Sequence, residues 1–297
     1  MQFIKLWILF VLFAVSSVAN SAIERPFLWK VTNKSNTFYL FGTIHLGDPK
    51  LKTLPSSLKR VIEKSDTIYT EVAIDDTLAL KSAMLMMRHD AKSLSLIISS
   101  KLYRQIDTYL KGINPQLSLS SFDTTKIWAL SSIVSLIKNQ LKYPNLQALD
   151  ATIYKYAQEK NKSVGGIETI ESQVAIMDRF STDEQVAMLE STVNYLQKNP
   201  NALEQMKQLY INGNEQKMLE FILSTMAQEK RYKELEDKFM EAMLYNRNIT
   251  MLQKIESLVE KNPKTAYLFA FGVMHFLGDK SIISYLQCNG YSVTRVE

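Results

Sequence analysis

Two apolar runs, Tyr39-Leu40-Phe41 and Tyr267-Leu268-Phe269-Ala270-Phe271, each lead straight into Gly-x-x-His, at Gly42 to His45 and Gly272 to His275. Strands near both termini that serve one sheet force the intervening chain into long connections. The residues between them read accordingly. Phe27 to Val31 and Thr37 to Gly42 flank a polar turn and predict an antiparallel hairpin. Pro55 opens a helix with Leu58, Val61 and Ile62 on one face, and Thr67 to Ala73 is the next strand, so this stretch reads as a βαβ crossover with a parallel strand pair. Ser163 to Ile167 is a short strand ending on Glu168, and Tyr291 to Val296 closes the chain as another. Helical spacing of apolar residues fills about 77–147, and resumes behind the Ser181/Glu184 capping box over about 183–262. The fold class is therefore α/β: a mixed central sheet with an N-terminal hairpin, a parallel βαβ portion and large helical insertions forming a cap.

Composition limits what such a fold can do. Of 297 residues 46% are hydrophobic and 22% charged, with only nine glycines and seven prolines, which excludes disordered arms and low-complexity scaffolds. The net charge of +5 is spread along the chain with no run of five like charges, which speaks against a nucleic-acid footprint. Lys5, the apolar stretch Leu6 to Val15 and the small residues up to Ala22 form a signal-peptide pattern over residues 1–22, with an uncleaved anchor as the alternative. Residues 23–297 then form one domain in a periplasmic or secreted protein without stable membrane insertion. Cys288 has no cysteine partner, so the fold must stand on its core. Its neighbours Leu286, Tyr291 and Val293 predict a buried, inert thiol, with a lone nucleophile as the alternative.

Chemistry concentrates on the scarce histidines, of which there are three. His45 and His275 each stand just past a strand's carboxyl end, where open α/β sheets place ligands. His89 reads as a surface residue of a helix. Glu71 lies inside the apolar strand Thr67 to Ala73, and the crossover brings it to the same end of the sheet, unless it faces solvent from an edge strand. Two imidazoles and a carboxylate suit a divalent transition metal such as manganese, cobalt or zinc, with positions left for water and substrate. The same trio also suits metal-free work as a base and an electrostatic pair, and two coincidental core histidines are the bland alternative. Neither His-Glu-x-x-His nor paired Cys-x-x-Cys occurs.

The segment LWKVTNKSNTFYLFGTIHLGDP followed by LPSSLKRVIEKSDTIYTEV, together with the paired Gly-x-x-His motifs, resembles the TraB/GumN family, which includes PrgY-type pheromone-shutdown proteins and is related to the Tiki metalloproteases. Leu149-Asp150, Gly166-Ile167-Glu168-Thr169 with Gln173, and Arg247-Asn248 extend the resemblance from about Phe27 to the C-terminus. The resemblance implies a shared α/β fold and divalent-metal-dependent hydrolysis of a peptide or protein substrate. It implies His45, Glu71 and His275 as active-site residues, with Glu168, Arg247 and Asn248 as further polar members. Arg247 would hold a substrate carboxylate or an oxyanion, or else lie on a helix surface. Glu168 would serve the site or cap a helix. Read this way the chain is an exported metal-dependent peptidase, against a non-catalytic peptide-binding protein or an esterase-like hydrolase.

Overall fold

The computed structural model of the chain describes residues 21–33, 36–90, 92–226 and 230–296. The signal-peptide pattern therefore lies, up to Asn20, outside the described residues. Six strands form one mixed sheet: β1 Leu28–Thr32, β2 Thr37–Thr43, β3 Thr67–Val72, β4 Ser163–Glu168, β5 Tyr267–Gly272 and β6 Ser292–Arg295, in the spatial order β4-β3-β5-β2-β1-β6. β1 and β2 make the expected hairpin, antiparallel with Val31 opposite Phe38, and β6 pairs antiparallel to β1 on its far side. The crossover helix α1, Ser56–Lys64, follows Pro55 and buries Leu58, Val61 and Ile62 on one face. It joins two parallel strands, but β2 and β3 are not neighbours. β5, from the far end of the chain, sits between them and pairs parallel with both.

β5 owes that place to its composition. Five of its six residues are buried, because a central parallel strand is covered on both faces and reads as an unbroken apolar run. Phe269 anchors it, stacked on Tyr69 of β3 at 5.7 Å and edge-on to Phe38 of β2 at 5.8 Å. Aromatic contacts of this kind add about 0.5–1.5 kcal/mol each beyond burial.

The helical blocks divide into two sets. α2 is Leu78–Leu85, α3 Ser100–Ile113, α4 Ile127–Lys142 and α5 Leu149–Glu159; after β4 come α6 Ile170–Met177, α7 Thr182–Lys198, α8 Ala202–Asn212 and α9 Glu215–Thr225. α10 Lys230–Met240 runs through a π-helical turn, Glu241–Tyr245, into α11 Asn246–Lys261, and α12 Ile282–Cys288 precedes β6. The sheet, α1, α5, α8, α11 and α12 contribute to one core that includes Leu58, Ile153, Ile255 and Leu286. α3, α4 and α7 enclose a second core around Leu102, Ile106, Leu130, Val134, Leu189 and Val193, so the cap is internally packed. The Ser181/Glu184 capping box closes the start of α7 as the sequence predicts.

Two expectations are corrected here. Cys288 is exposed at the last turn of α12, because the apolar face of that short helix is carried by Ile282 and Leu286. His89 is at the surface, but on an irregular segment beyond α2. No helix among the described residues is long and apolar enough to cross a membrane.

Candidate active site

The four parallel strands β4, β3, β5 and β2 end at one edge of the sheet, and their registers set Glu168 beside Val72 and Gly272 beside Thr43. Glu71, one residue before the end of β3, points into this edge with its side chain only 10% exposed. It is on an interior strand, so the solvent-facing alternative falls. Such a carboxylate must be compensated. Its Oε1 accepts the Gly272 backbone N–H at 2.7 Å, and its Oε2 accepts Arg247 Nη2 at 2.6 Å and Gln173 Nε2 at 3.2 Å.

Glu168 is the second buried carboxylate. It accepts Arg247 Nη2 at 2.6 Å, Arg247 Nε at 3.1 Å and Gln173 Nε2 at 3.1 Å. Arg247 gives its remaining arm to the Met243 carbonyl, at 2.8 Å. It is thus a buried strut between two strands, not a helix-surface arginine, and Glu168 is tied to it instead of capping a helix. The π-helical turn just before it changes the register of the α10–α11 helix at the point where Arg247 and Asn248 face the sheet. Sequence spacing alone reads Tyr232 to Lys261 as one regular helix. π turns of this kind recur at functional sites.

The two histidines meet at the same carboxylate oxygen. His45 Nε2 lies 3.4 Å and His275 Nε2 3.6 Å from Glu71 Oε1. Each ring is held from behind by a different partner. His275 Nδ1 is 2.5 Å from Asn248 Oδ1, while Asn248 Nδ2 donates to the Lys280 carbonyl at 2.8 Å. That second bond fixes the amide orientation, so His275 donates from Nδ1 and carries its lone pair on Nε2. His45 Nδ1 is 3.2 Å from Asp150 Oδ2, at the start of α5. Asp150 and Gln173 belong to the positions that carry the family resemblance, yet their site roles need the fold, since neither sits in a strand–Gly-x-x-His context.

Burial and charge separate the two rings. Desolvation lowers the His275 pKa to about 4, with Glu71 opposing the shift and Arg247 adding to it. For His45, desolvation also pulls downward, but hydrogen bonds to Asp150 and Glu71 win and hold the pKa well above its ordinary value. Desolvation is the largest single influence, and it is outweighed only because Asp150 and Glu71 act on the ring together. Glu71 is disfavoured by burial, yet His275, His45 and Arg247 together hold it well below the usual carboxylate range.

These residues fit a divalent cation in donor chemistry. His275 turns the lone pair of its Nε2 on Glu71 Oε1, an arrangement that positive charge between them would relieve, while the Nε2 of His45, drawn toward protonation, meets the same oxygen with positive charge of its own. Their spacings match the roughly 3–3.6 Å between donors that share a metal at about 2.0–2.2 Å. Three carboxylates (Glu71, Glu168 and Asp150) against one guanidinium leave two negative charges while the histidines are neutral. A Cβ on Gly272 would sit 3.0 Å from Glu71 Oε1, 3.5 Å from His45 Nε2 and 3.8 Å from His275 Cδ2, so glycine keeps this junction open. Among the described residues, however, no three His, Cys, Asp or Glu side chains form a ready-made ligand set. The expected trio is brought together but not closed into a cage, with Glu71 already engaged by Arg247, Gln173 and Gly272.

The profile of the TraB/PrgY/gumN family matches residues 27–295. A protein named Metalloprotease TIKI1 from Xenopus tropicalis is 22% identical over 90% of this chain and 61% of its own length. Metalloprotease TIKI homolog from Nematostella vectensis is 22% identical over 91% of this chain and 67% of its own. Uncharacterized protein YbaP from Escherichia coli strain K12 is 21% identical over 82% of this chain and 86% of its own. The chain thus spans about three-fifths of the length of the Xenopus TIKI1 relative. No solved structure matches it.

Proposed function

The chain belongs to the TraB/PrgY/gumN family, and on that premise we propose that it is an exported, metal-dependent hydrolase of peptides. Relatives named metalloproteases support the reaction class. The observation that carries the reading is the approach of both Nε2 atoms to Glu71 Oε1, each ring held at Nδ1 by its own acceptor. His45 and His275 would hold the metal, with Glu71 as the adjoining anionic donor. A bound divalent metal supplies an acidified water and polarises the scissile carbonyl.

The remaining residues position this pair. Asp150 and Asn248 aim the imidazoles, as outer partners of metal-bound histidines do. Arg247 and Gln173 clamp Glu71 and Glu168 together, and His275, His45 and Arg247 keep Glu71 ionised, which makes it a poor general base and a good fixed charge. Arg247 and Asn248 spend their donors on protein acceptors, so their proposed part is positioning rather than contact with an oxyanion. His45, open at the mouth of the site, is the group that substrate meets first.

Metal analysis of the purified chain, beside cleavage of a peptide library with and without chelator, tests the reading. Stoichiometric metal and chelator-sensitive cleavage are expected; cleavage that persists after complete metal removal would sink it. The second reading, a peptide-binding protein without turnover, is favoured by the Arg247 clamp, which already offsets part of the carboxylate charge. Peptide binding with no product at any metal loading would establish it. An ester panel run alongside separates an esterase-like hydrolase.

A further inference from the structure

Beside the site, the helical cap forms a partly open cavity of about 630 Å³ between α4, α6, α7, α8, α9 and α10. That is far above the roughly 10–15 Å³ that one water needs, and more than one side chain can fill. Its wall is mostly apolar and rich in methionine: Met86, Met177, Met188, Met206, Met226 and Met243 all line it. Unbranched thioethers adapt to occupants of differing shape. The hydroxyls on the α4 face spend their donors within the helix. Ser131, Ser132 and Ser135 each bond a carbonyl of their own helix, and Trp128 Nε1 donates to Asp178.

One wall residue joins this space to the carboxylates. Gln173 lines the cavity and donates through Nε2 to both Glu71 and Glu168. That arrangement turns its Oε1 away from the carboxylates as an acceptor for an incoming N–H.

We propose that this cavity is the specificity pocket of the hydrolase, and that it takes two or three consecutive large apolar side chains of a peptide whose backbone N–H meets Gln173 Oε1. The inference rests on the peptide-hydrolase reading for its substrate and on the cavity alone for its chemistry. A peptide is favoured over an acyl chain because the end of the pocket nearest the carboxylates offers a hydrogen-bond acceptor, which a hydrocarbon tail cannot use. Apolar pockets discriminate by about 10–200-fold per methylene-sized difference, so a run of side chains gives a large selection.

The test measures binding rather than turnover, so that it stands apart from catalysis. A fluorophore-labelled hexapeptide containing Leu-Phe-Leu, and the same peptide with serine at those places, are titrated into the full chain in the presence of chelator. The apolar peptide should bind at least about tenfold tighter. Ala187→Trp on α7 and Ser135→Phe on α4 each project added bulk into the cavity from a different helix. Each should weaken the apolar peptide about tenfold and move the serine peptide less than about twofold, with helical circular dichroism retained. Equal affinity for the two peptides overturns the proposal, as does an unchanged apolar affinity in folded filling variants. Tight binding of dodecanoate without discrimination between the peptides overturns it in favour of an acyl pocket. Discrimination without cleavage at any metal loading removes the hydrolase reading and leaves the pocket assignment standing.

Discussion

The two Gly-x-x-His corners share a sequence pattern and differ in almost everything the fold adds. The corner after β5 is sealed: His275 is 4% exposed, continues into a short 3-10 turn at Val273–Phe276, and is backed by the neutral amide of Asn248. The corner after β2 is open: His45 is exposed and backed by the carboxylate of Asp150. One imidazole is held neutral by burial, while the other is drawn toward protonation by charge. A local motif therefore specifies where a ring stands, and the surrounding helices decide its proton. Such a division suits a site with one fixed wall and one face toward solvent.

The largest effect expected in breaking this arrangement comes from the strut beneath both corners. Arg247→Met removes the one guanidinium that pairs both buried Glu71 and Glu168, and should cost about 3–5 kcal/mol in chemical denaturation. A loss below about 1 kcal/mol would mean that the two carboxylates find other partners and that the clamp is not what holds the strand ends.

Next come the histidines themselves. His275→Ala should abolish tight metal binding and also destabilise the fold by about 1–3 kcal/mol, since Asn248 Oδ1 is left buried without its donor. His45→Ala should lose metal equally but change stability by no more than about 0.5 kcal/mol, as expected of an exposed position. Losses of metal in the double variant should not add, because both rings serve one site. Equal stability losses at the two corners would erase the distinction between them.

The protonation difference is sharpened by nuclear magnetic resonance titration of the metal-free chain. His275 should stay neutral down to about pH 4, and His45 should be protonated at neutral pH. Against the ordinary value of about 6.5, the lowered pKa of His275 makes the unfolded chain bind the extra proton, so stability contributed by this ring falls as pH drops from about 6.5 to 4. The raised pKa of His45 works oppositely: its contribution is complete below about 6.5 and fades as pH rises through the folded value. Asp150→Asn should bring the His45 pKa down and weaken metal binding by about 10–100-fold. An unaltered His45 titration in that variant would detach Asp150 from the ring.

The smallest effect is expected at Cys288. The thiol is exposed at the last turn of α12, so Cys288→Ser should leave metal binding and activity unchanged and stability within about 0.5 kcal/mol. Loss of activity in the folded variant would point to a thiol nucleophile instead.

How much of this the sequence carries depends on the range of the interaction. The hairpin, the crossover helix and the strand ending on Glu168 follow from local periodicity, and the structure has them within a few residues. The meeting of His45, Glu71 and His275 follows from strand-end placement, because parallel strands deliver their carboxyl ends to one edge. What local patterns leave out is set by partners far away in sequence. β5 separates β2 from β3, a pairing that no crossover spacing encodes. Asp150 reaches His45 only because α5 packs beneath the sheet edge, and Arg247 becomes a strut only through a π turn that leaves the apolar spacing of its helix nearly unchanged. Cys288 misleads for the reverse reason: apolar neighbours in sequence fall on the other face of a two-turn helix.

The position of β5 also orders the life of the chain in time. A ribosome delivers β2, β3 and β4 first, and these have a vacancy at the centre of the sheet until Tyr267–Gly272 arrives, about two hundred residues after β3. Contacts at that separation form late, since loop closure must precede the pairing that rewards it. Before then Glu71 lacks both the Gly272 amide and the second imidazole. The central strand and the second histidine corner thus come from one late stretch of chain, followed only by α12 and β6.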